Sequence, residues 1–192
     1  MRVILYLFLC FFSLINISVS ADRYQITVTH KGKELGKIVI ETMPEVAPKH
    51  CHNFDSLVAV KFYDGCAFHR TIPNFMVQGG DPNSKSKPKE TWGEGDSTQT
   101  NVVAEFNDVS HERGIVSTAR AEDPNSGNSQ FFICVADVKR LDHKYTVFAK
   151  VITGLVVADK ISAVEKELNA GGELASPKDK VEMTIKKISK KK

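Results

Sequence analysis

Between residues 22 and 189 the apolar side chains come in short runs of period two, and that pattern limits the fold more than any other feature. Residues 24–30, "YQITVTH", set Tyr, Ile and Val against Gln and Thr, the pattern of a strand with one buried face. "HKGKEL" turns through Gly32 into a second β-rich run at 35–41, so a hairpin is expected. Further short strands are expected in "AFHRTI", at 114–119, 130–136, 145–152 and Val181–Ile188, with "EDPNSGNS" and "KRLDHK" as turns. Only two stretches read as helix. Pro48 can open the first, because a proline at the first position loses no needed hydrogen bond; Cys51, Phe54 and Val58 then share a face, with Leu57 beside them. The second is expected over 155–163. Residues 81–101 and "ELNAGGELASP" read as loops, the former long enough to be functional or mobile. Many short strands with two helices, no repeat and no linker predict a closed or nearly closed antiparallel β-barrel capped by helices.

Residues 1–21 stand outside that pattern. "MRVILYLFLCFFSLINISVSA" has one charge, Arg2, then an apolar run, then Ser18, Ser20 and Ala21. This is the layout of a secretory signal peptide, and the run is short against the roughly 20 residues of a membrane span. The expected organisation is a leader over 1–21, one domain over 22–189 and a basic tail at 190–192. An exported protein is expected, periplasmic or secreted; the endoplasmic reticulum lumen is possible, but "KKISKKK" is not a KDEL-type retrieval tail. No membrane association is expected after cleavage. Removing Arg2 leaves 25 basic against 23 acidic residues, which is no electrostatic footprint for nucleic acid.

Cys51, Cys66 and Cys134 remain once the leader, with Cys10, is gone, an odd number at spacings that match neither a disulfide scaffold nor a zinc site. A Cys51–Cys66 bridge is conceivable in an oxidising compartment. In "KHCHN", His50, Cys51 and His52 are consecutive on a helix and point different ways, so no metal is expected there. "GEG" at 93–95 lacks the Gly-Lys-Ser/Thr ending of a phosphate loop. No cofactor is expected.

The stretch "FHRTIPNFMVQGG" at 68–80 does not fit a bland reading so easily. Strict alternation would set Phe68 and Arg70 on one face, with His69 and Thr71 on the other. Arg70 would then lie on an apolar floor with Phe75, Met76 and Gln78 nearby. From the residues alone two readings stand level: a surface arginine laying its stem along apolar neighbours, or a cation aimed into a pocket.

With "NSQFFI" at 128–133 and "YTVFAKV" at 145–151, "FHRTIPNFMVQGGDP" resembles the cyclophilin family of peptidyl-prolyl cis–trans isomerases, over about 24–187 of the chain. The resemblance implies a mainly β fold, a closed eight-stranded antiparallel β-barrel capped by two α-helices, with the substrate groove on its outer face. It gives Arg70 the role of catalytic arginine and Gln78 that of the polar partner that orients the substrate backbone. Phe75, Met76, Phe132 and Leu141 match the wall of a proline pocket, and Ala119, Gln130 and Tyr145 match other groove positions. Tyr145 stands where the family often has histidine, and together with "ARAEDPNSGNSQFF" is more like bacterial-type members. Arg140 stands where many eukaryotic members carry a tryptophan that helps hold cyclosporin, so weak or no cyclosporin binding is expected. The implied partners are proline-containing segments of other proteins, handled by a monomer. A rival of another class is a proline-segment-binding chaperone or scaffold with little turnover.

Overall fold

The computed structural model describes residues 20–189; residues 1–19 of the expected leader and the tail at 190–192 lie outside them. The elements run β1 (Arg23–His30), β2 (Lys33–Thr42), α1 (Pro48–Ala59), β3 (Phe68–Ile72), β4 (Met76–Gly79), β5 (Ile115–Thr118), β6 (Phe131–Cys134) and β7 (Val147–Thr153). They continue with α2 (Leu155–Ser162), β8 (Lys166–Leu168), β9 (Leu174–Pro177) and β10 (Val181–Ile188). Eight strands form one sheet in the order β10-β1-β2-β7-β5-β6-β4-β3, every pairing antiparallel. The two ends nearly meet. An antiparallel bridge joins Ala67 to Glu182, and the Met183 N–H donates to the Cys66 carbonyl at 2.8 Å. The barrel is thus nearly closed, which removes most of the open edge that would invite pairing with other chains.

Local chemistry accounts for most boundaries. His30 pairs with Lys33 across a two-residue turn whose residues, Lys31 and Gly32, both have positive φ (53° and 73°), as a type I′ hairpin requires. Helix α1 begins at Pro48 without a side-chain cap of its own. Its first free N–H groups, on Lys49 and His50, donate instead to the Glu105 carboxylate at 3.1 and 3.0 Å, so a distant loop satisfies and charge-complements the helix start. Helix α2 starts from Gly154 at φ 86°, where a Cβ would meet the Lys37 carbonyl oxygen at 2.1 Å. Only glycine fits there.

The barrel interior is filled by inward residues of all the main strands, among them Tyr24, Ile26, Ile40, Phe68, Val77, Phe131, Ile133 and Met183. Phe54 of α1 plugs it, packing on Tyr24, Tyr63, Phe131 and Phe148 with ring centroids 5.1–5.9 Å apart. The Tyr24 hydroxyl donates to Asp55 at 2.6 Å and ties β1 to the same helix. Cys51, Cys66 and Cys134 are buried and unpaired, and burial pushes the Cys51 and Cys134 thiols up to about 12. No helix of the described residues is long and apolar enough to cross a membrane.

One expectation needs correcting, and two further segments take a form that the pattern left open. "ELNAGGELASP" is not a loop but the hairpin β8–β9, in which Lys166 pairs with Pro177 and Leu168 with Leu174. Residues 76–79, too short a run to show a period, form β4, paired between β6 and β3. The polar segment 81–101 is pinned from within: buried Asp81 accepts from the N–H groups of Asn83 and Gly93, and Asn83 donates to the carbonyls of Thr91 and Gly95.

Histidines 50, 69 and 111 are buried, and burial lowers the pKa of each below the ordinary 6.5, to about 4 for His69. Glu105 partly opposes this at His50, Asp81 at His69 and Asp142 at His111. Below pH 6.5 the unfolded chain therefore takes up protons that the folded one refuses, so stability falls as pH drops from 6.5 toward 4 and is fully present above 6.5. Asp142, held at about 2 mainly by the His111 backbone N–H, adds a loss of the same sign below its ordinary 3.8. Urea unfolding should show a lower midpoint at pH 4.5 than at pH 7, with a smaller difference in His69→Gln. Equal midpoints at the two pH values would contradict this.

Candidate active site

Strands β3, β4 and β6 carry side chains on both faces, and the outer face holds the site. In β4 and β6 the register pairs Gly79 with Phe131 and Val77 with Ile133, which face the barrel interior. The intervening pairs, Gln78 with Phe132 and Met76 with Cys134, face outward into a second apolar cluster with Ala119, Val138 and Leu141. The "FFIC" run is buried at every position because both of its faces are covered.

Strand β3 does not alternate as a simple strand would. Phe68 pairs with Gly79 and Arg70 with Gln78, so two steps along β3 match one along β4. His69 is the extra residue of a β-bulge. The expectation that Phe68 and Arg70 share a face is therefore wrong. The bulge leaves Phe68 in the core, packed on Phe131, and turns Arg70 outward beside Gln78, while Thr71 and Val77 turn in.

The outer face is hollowed into a concavity of about 250 Å³ lined by Arg70, Phe75, Met76, Gln78, Ala119, Arg120, Phe132, Leu141 and Tyr145. That is below the roughly 300–1,000 Å³ of sites for drug-sized ligands and suits one small ring. Met76, Phe132 and Leu141 are nearly buried and form its floor and wall. Tyr145 stands edge-on to Phe132 at 5.5 Å, and the Arg120 guanidinium lies 4.8 Å over the Tyr145 ring. On the opposite side the Arg140 guanidinium sits 4.4 Å over Phe75.

The polar groups are oriented in a chain. Gln78 Nε2–H donates to Gln130 Oε1 at 3.1 Å, and Gln130 Nε2–H donates to the Gly93 carbonyl at 3.1 Å. Gln130 thus stands behind Gln78 rather than in the concavity, and lines a neighbouring hollow with Gly93, Glu94, Arg120 and Asn128. Arg70 Nε–H donates to Glu173 Oε2 at 2.7 Å and Nη2–H to Oε1 at 3.1 Å. Eight of the nine residues expected from sequence line one concavity, and the ninth braces it. Arg120, Glu173 and His111 were missed. His111 stacks behind Phe132 at 6.1 Å, and none of the three has a local pattern that would mark it.

One constellation mimics a nucleophile. Ser117 Oγ is 2.9 Å from His111 Nε2, and His111 Nδ1 is 2.9 Å from Asp142. Ser117 and His111 are both fully buried, so no substrate reaches that hydroxyl, and the chain of bonds serves to hold His111 against Phe132. In "KHCHN", His50 is buried on Glu105 while His52 is exposed. The concavity offers two guanidiniums, an amide and apolar walls: equipment for binding and polarising, with no serine, threonine, cysteine or lysine among the residues that line it.

Comparison with known proteins places this geometry. Residues 25–189 match the family described as Cyclophilin type peptidyl-prolyl cis-trans isomerase/CLD. The chain is 37% identical over 177 residues to a probable peptidyl-prolyl cis-trans isomerase of Brucella abortus (strain 2308), covering 90% of this chain and 89% of that protein. It is 40% identical over 151 residues to a peptidyl-prolyl cis-trans isomerase of Acinetobacter baylyi, covering 76% of this chain and 77% of that one. Among solved structures it is similar to a Cryptosporidium parvum cyclophilin type peptidyl-prolyl cis-trans isomerase, with a TM-score of 0.76 and 26% identity over 90% of this chain and all of that one. A structure of that protein in the presence of the dipeptide Ala-Pro matches with a TM-score of 0.73 at 25% identity, over 88% of this chain and 99% of that one.

Proposed function

The chain belongs to the cyclophilin-type peptidyl-prolyl cis-trans isomerases, and from that premise we propose that Arg70 is its catalytic residue, acting on X–Pro bonds of exported proteins held in the outer concavity. The observation that carries this reading is the convergence of the Arg70 guanidinium, one oriented amide and an apolar floor on a space fit for a single pyrrolidine ring, with the second lining guanidinium, Arg120, laid over Tyr145. That the Cryptosporidium protein was crystallised in the presence of the dipeptide Ala-Pro accords with proline-containing segments as partners.

The chemistry asks for no more than this. Rotation about an X–Pro bond crosses a barrier of about 18–20 kcal/mol set by amide resonance, and uncatalysed exchange takes tens of seconds or longer. At the twisted transition state resonance is lost and the prolyl nitrogen regains a lone pair. A donor aimed at that nitrogen binds the transition state better than either planar isomer, which is the condition for catalysis. In this reading Arg70 supplies the donor, while Phe75, Met76, Phe132, Leu141 and Ala119 grip the ring and exclude water, which strengthens the donor. Gln78, held by Gln130, orients the substrate backbone, and Tyr145 closes the wall. Lysine would serve poorly in place of Arg70, since a planar fork of donors can reach nitrogen and carbonyl together.

The leader motif of residues 1–21 supports export, to the periplasm or out of the cell, with folding of exported chains as the role. Arg140 supports weak cyclosporin binding. Its guanidinium over Phe75 presents a hydrated cation where an indole would present an apolar plate and a ring N–H.

In a proline-peptide isomerisation assay, Arg70→Ala should lower kcat/KM about a hundredfold or more, the scale on which one preorganised transition-state donor acts. Equal rates with an unchanged thermal midpoint would overturn its role. Calorimetry should find that Arg140→Trp tightens cyclosporin binding; no gain would mean another feature sets the affinity. Mass spectrometry of the tagged full-length chain after fractionation should find an exported protein that has lost about the first twenty residues. An intact N-terminus in the cytosolic fraction would remove the basis for export.

A further inference from the structure

Glu173 lies 103 residues from Arg70 in sequence and holds it by two hydrogen bonds. It sits at the tip of the β8–β9 hairpin, where the Asn169 side chain accepts the Glu173 N–H at 2.9 Å and the Asn169 N–H donates to the Glu173 carbonyl at 2.8 Å. The arm behind the tip is braced. Strand β9 packs along β3, the strand that carries Arg70, with Ala175, Ser176 and Pro177 buried. At its base Lys89 Nζ donates to the carbonyls of Pro177 and Lys178, at 2.8 and 2.6 Å, and pairs with Glu167.

We propose that Glu173 is a positioning residue for isomerisation, clamping one edge of the Arg70 guanidinium so that the other edge is presented to the concavity. A guanidinium has five N–H donors in a rigid fork. The carboxylate takes the Nε–H and one Nη2–H, which leaves three, on Nη1 and Nη2, along the edge away from Glu173. Arginine without a clamp spreads over many rotamers, and freezing it during the reaction would raise the barrier; a braced carboxylate freezes it beforehand. The same contact could instead mask the cation. Orientation prevails because the two side chains are 32% and 43% exposed, where water screens the neutralising charge but does not alter the fork's geometry. The brace on β8–β9 also makes the arm a fixed strut rather than a flap.

This inference rests on the catalytic reading of Arg70, and kinetics of single variants tell the two apart. Compared with wild type, Glu173→Ala should lower kcat about tenfold, inside the hundredfold that a small misplacement can cost, with KM within about twofold. Glu173→Gln keeps one acceptor and should fall between the two. Thermal midpoints should not move, since the substituted side chain lies at an exposed tip. In an Arg70→Lys background, which has no fork to clamp, Glu173→Ala should change kcat little. A Glu173→Ala enzyme with kcat equal to or above wild type, beside an inactive Arg70→Ala, overturns the clamp and leaves the catalytic arginine standing. A fully active Arg70→Ala overturns both.

Discussion

A single extra residue in β3 sets the architecture of the site. His69 bulges out of the pairing between Phe68–Gly79 and Arg70–Gln78, and everything after it changes face. Without the bulge a guanidinium would enter a core filled by Phe54, Phe131 and Met183, at a desolvation cost no partner there could offset. With it, Phe68 stays in that core and Arg70 emerges next to Gln78. Bulges recur beside active sites because they re-aim one side chain while the flanking strand remains paired. The bulged residue itself is buried, and its burial depresses its pKa, so the device that aims the arginine also contributes to sensitivity toward acid.

The wall behind the site is stiff for the same reason that its strands read as continuously apolar. β4 and β6 are covered on both faces, by the barrel core within and by the cluster of Met76, Phe132 and Leu141 without. Consecutive phenylalanines at 131 and 132 serve one face each. Behind Phe132 stands His111, held between Ser117 and Asp142, and behind Gln78 stands Gln130, tied to the loop that Asp81 organises. Phe132 and Gln78 are thus each backed by a buried partner on another element. A reaction that depends on gripping a small ring while one bond rotates gains from such a surface, because little of the binding energy is spent on ordering the protein.

Much of this could be read from the chain. Period-two runs, a Lys31-Gly32 turn and Pro48 place β1, β2 and α1 within a residue or two of their observed ends, and Val181–Ile188 is found as expected. The resemblance carried by "FHRTIPNFMVQGGDP" and "NSQFFI" picked out residues that do gather around one concavity. What escaped has a common character. β4 has four residues and β8 three, too few for any period to show. Gln130 lines the adjoining hollow and holds the Gln78 amide, a contact across 52 residues of chain that no local pattern announces.

The sequence by itself determined the class of the fold and the chemical inventory of the site. Periodicity and turn residues are local properties, and short apolar runs with few helices leave an antiparallel barrel as the economical way to bury them. Only the tertiary structure decided which way Arg70 points and what holds it. Those outcomes depend on the register of β3 against β4 and on a carboxylate 103 residues away, and neither has a physical trace in the neighbouring residues. A strand's alternation specifies faces only while its pairing runs without a break. At His69 the pairing breaks, and the partner strand determines which face is out.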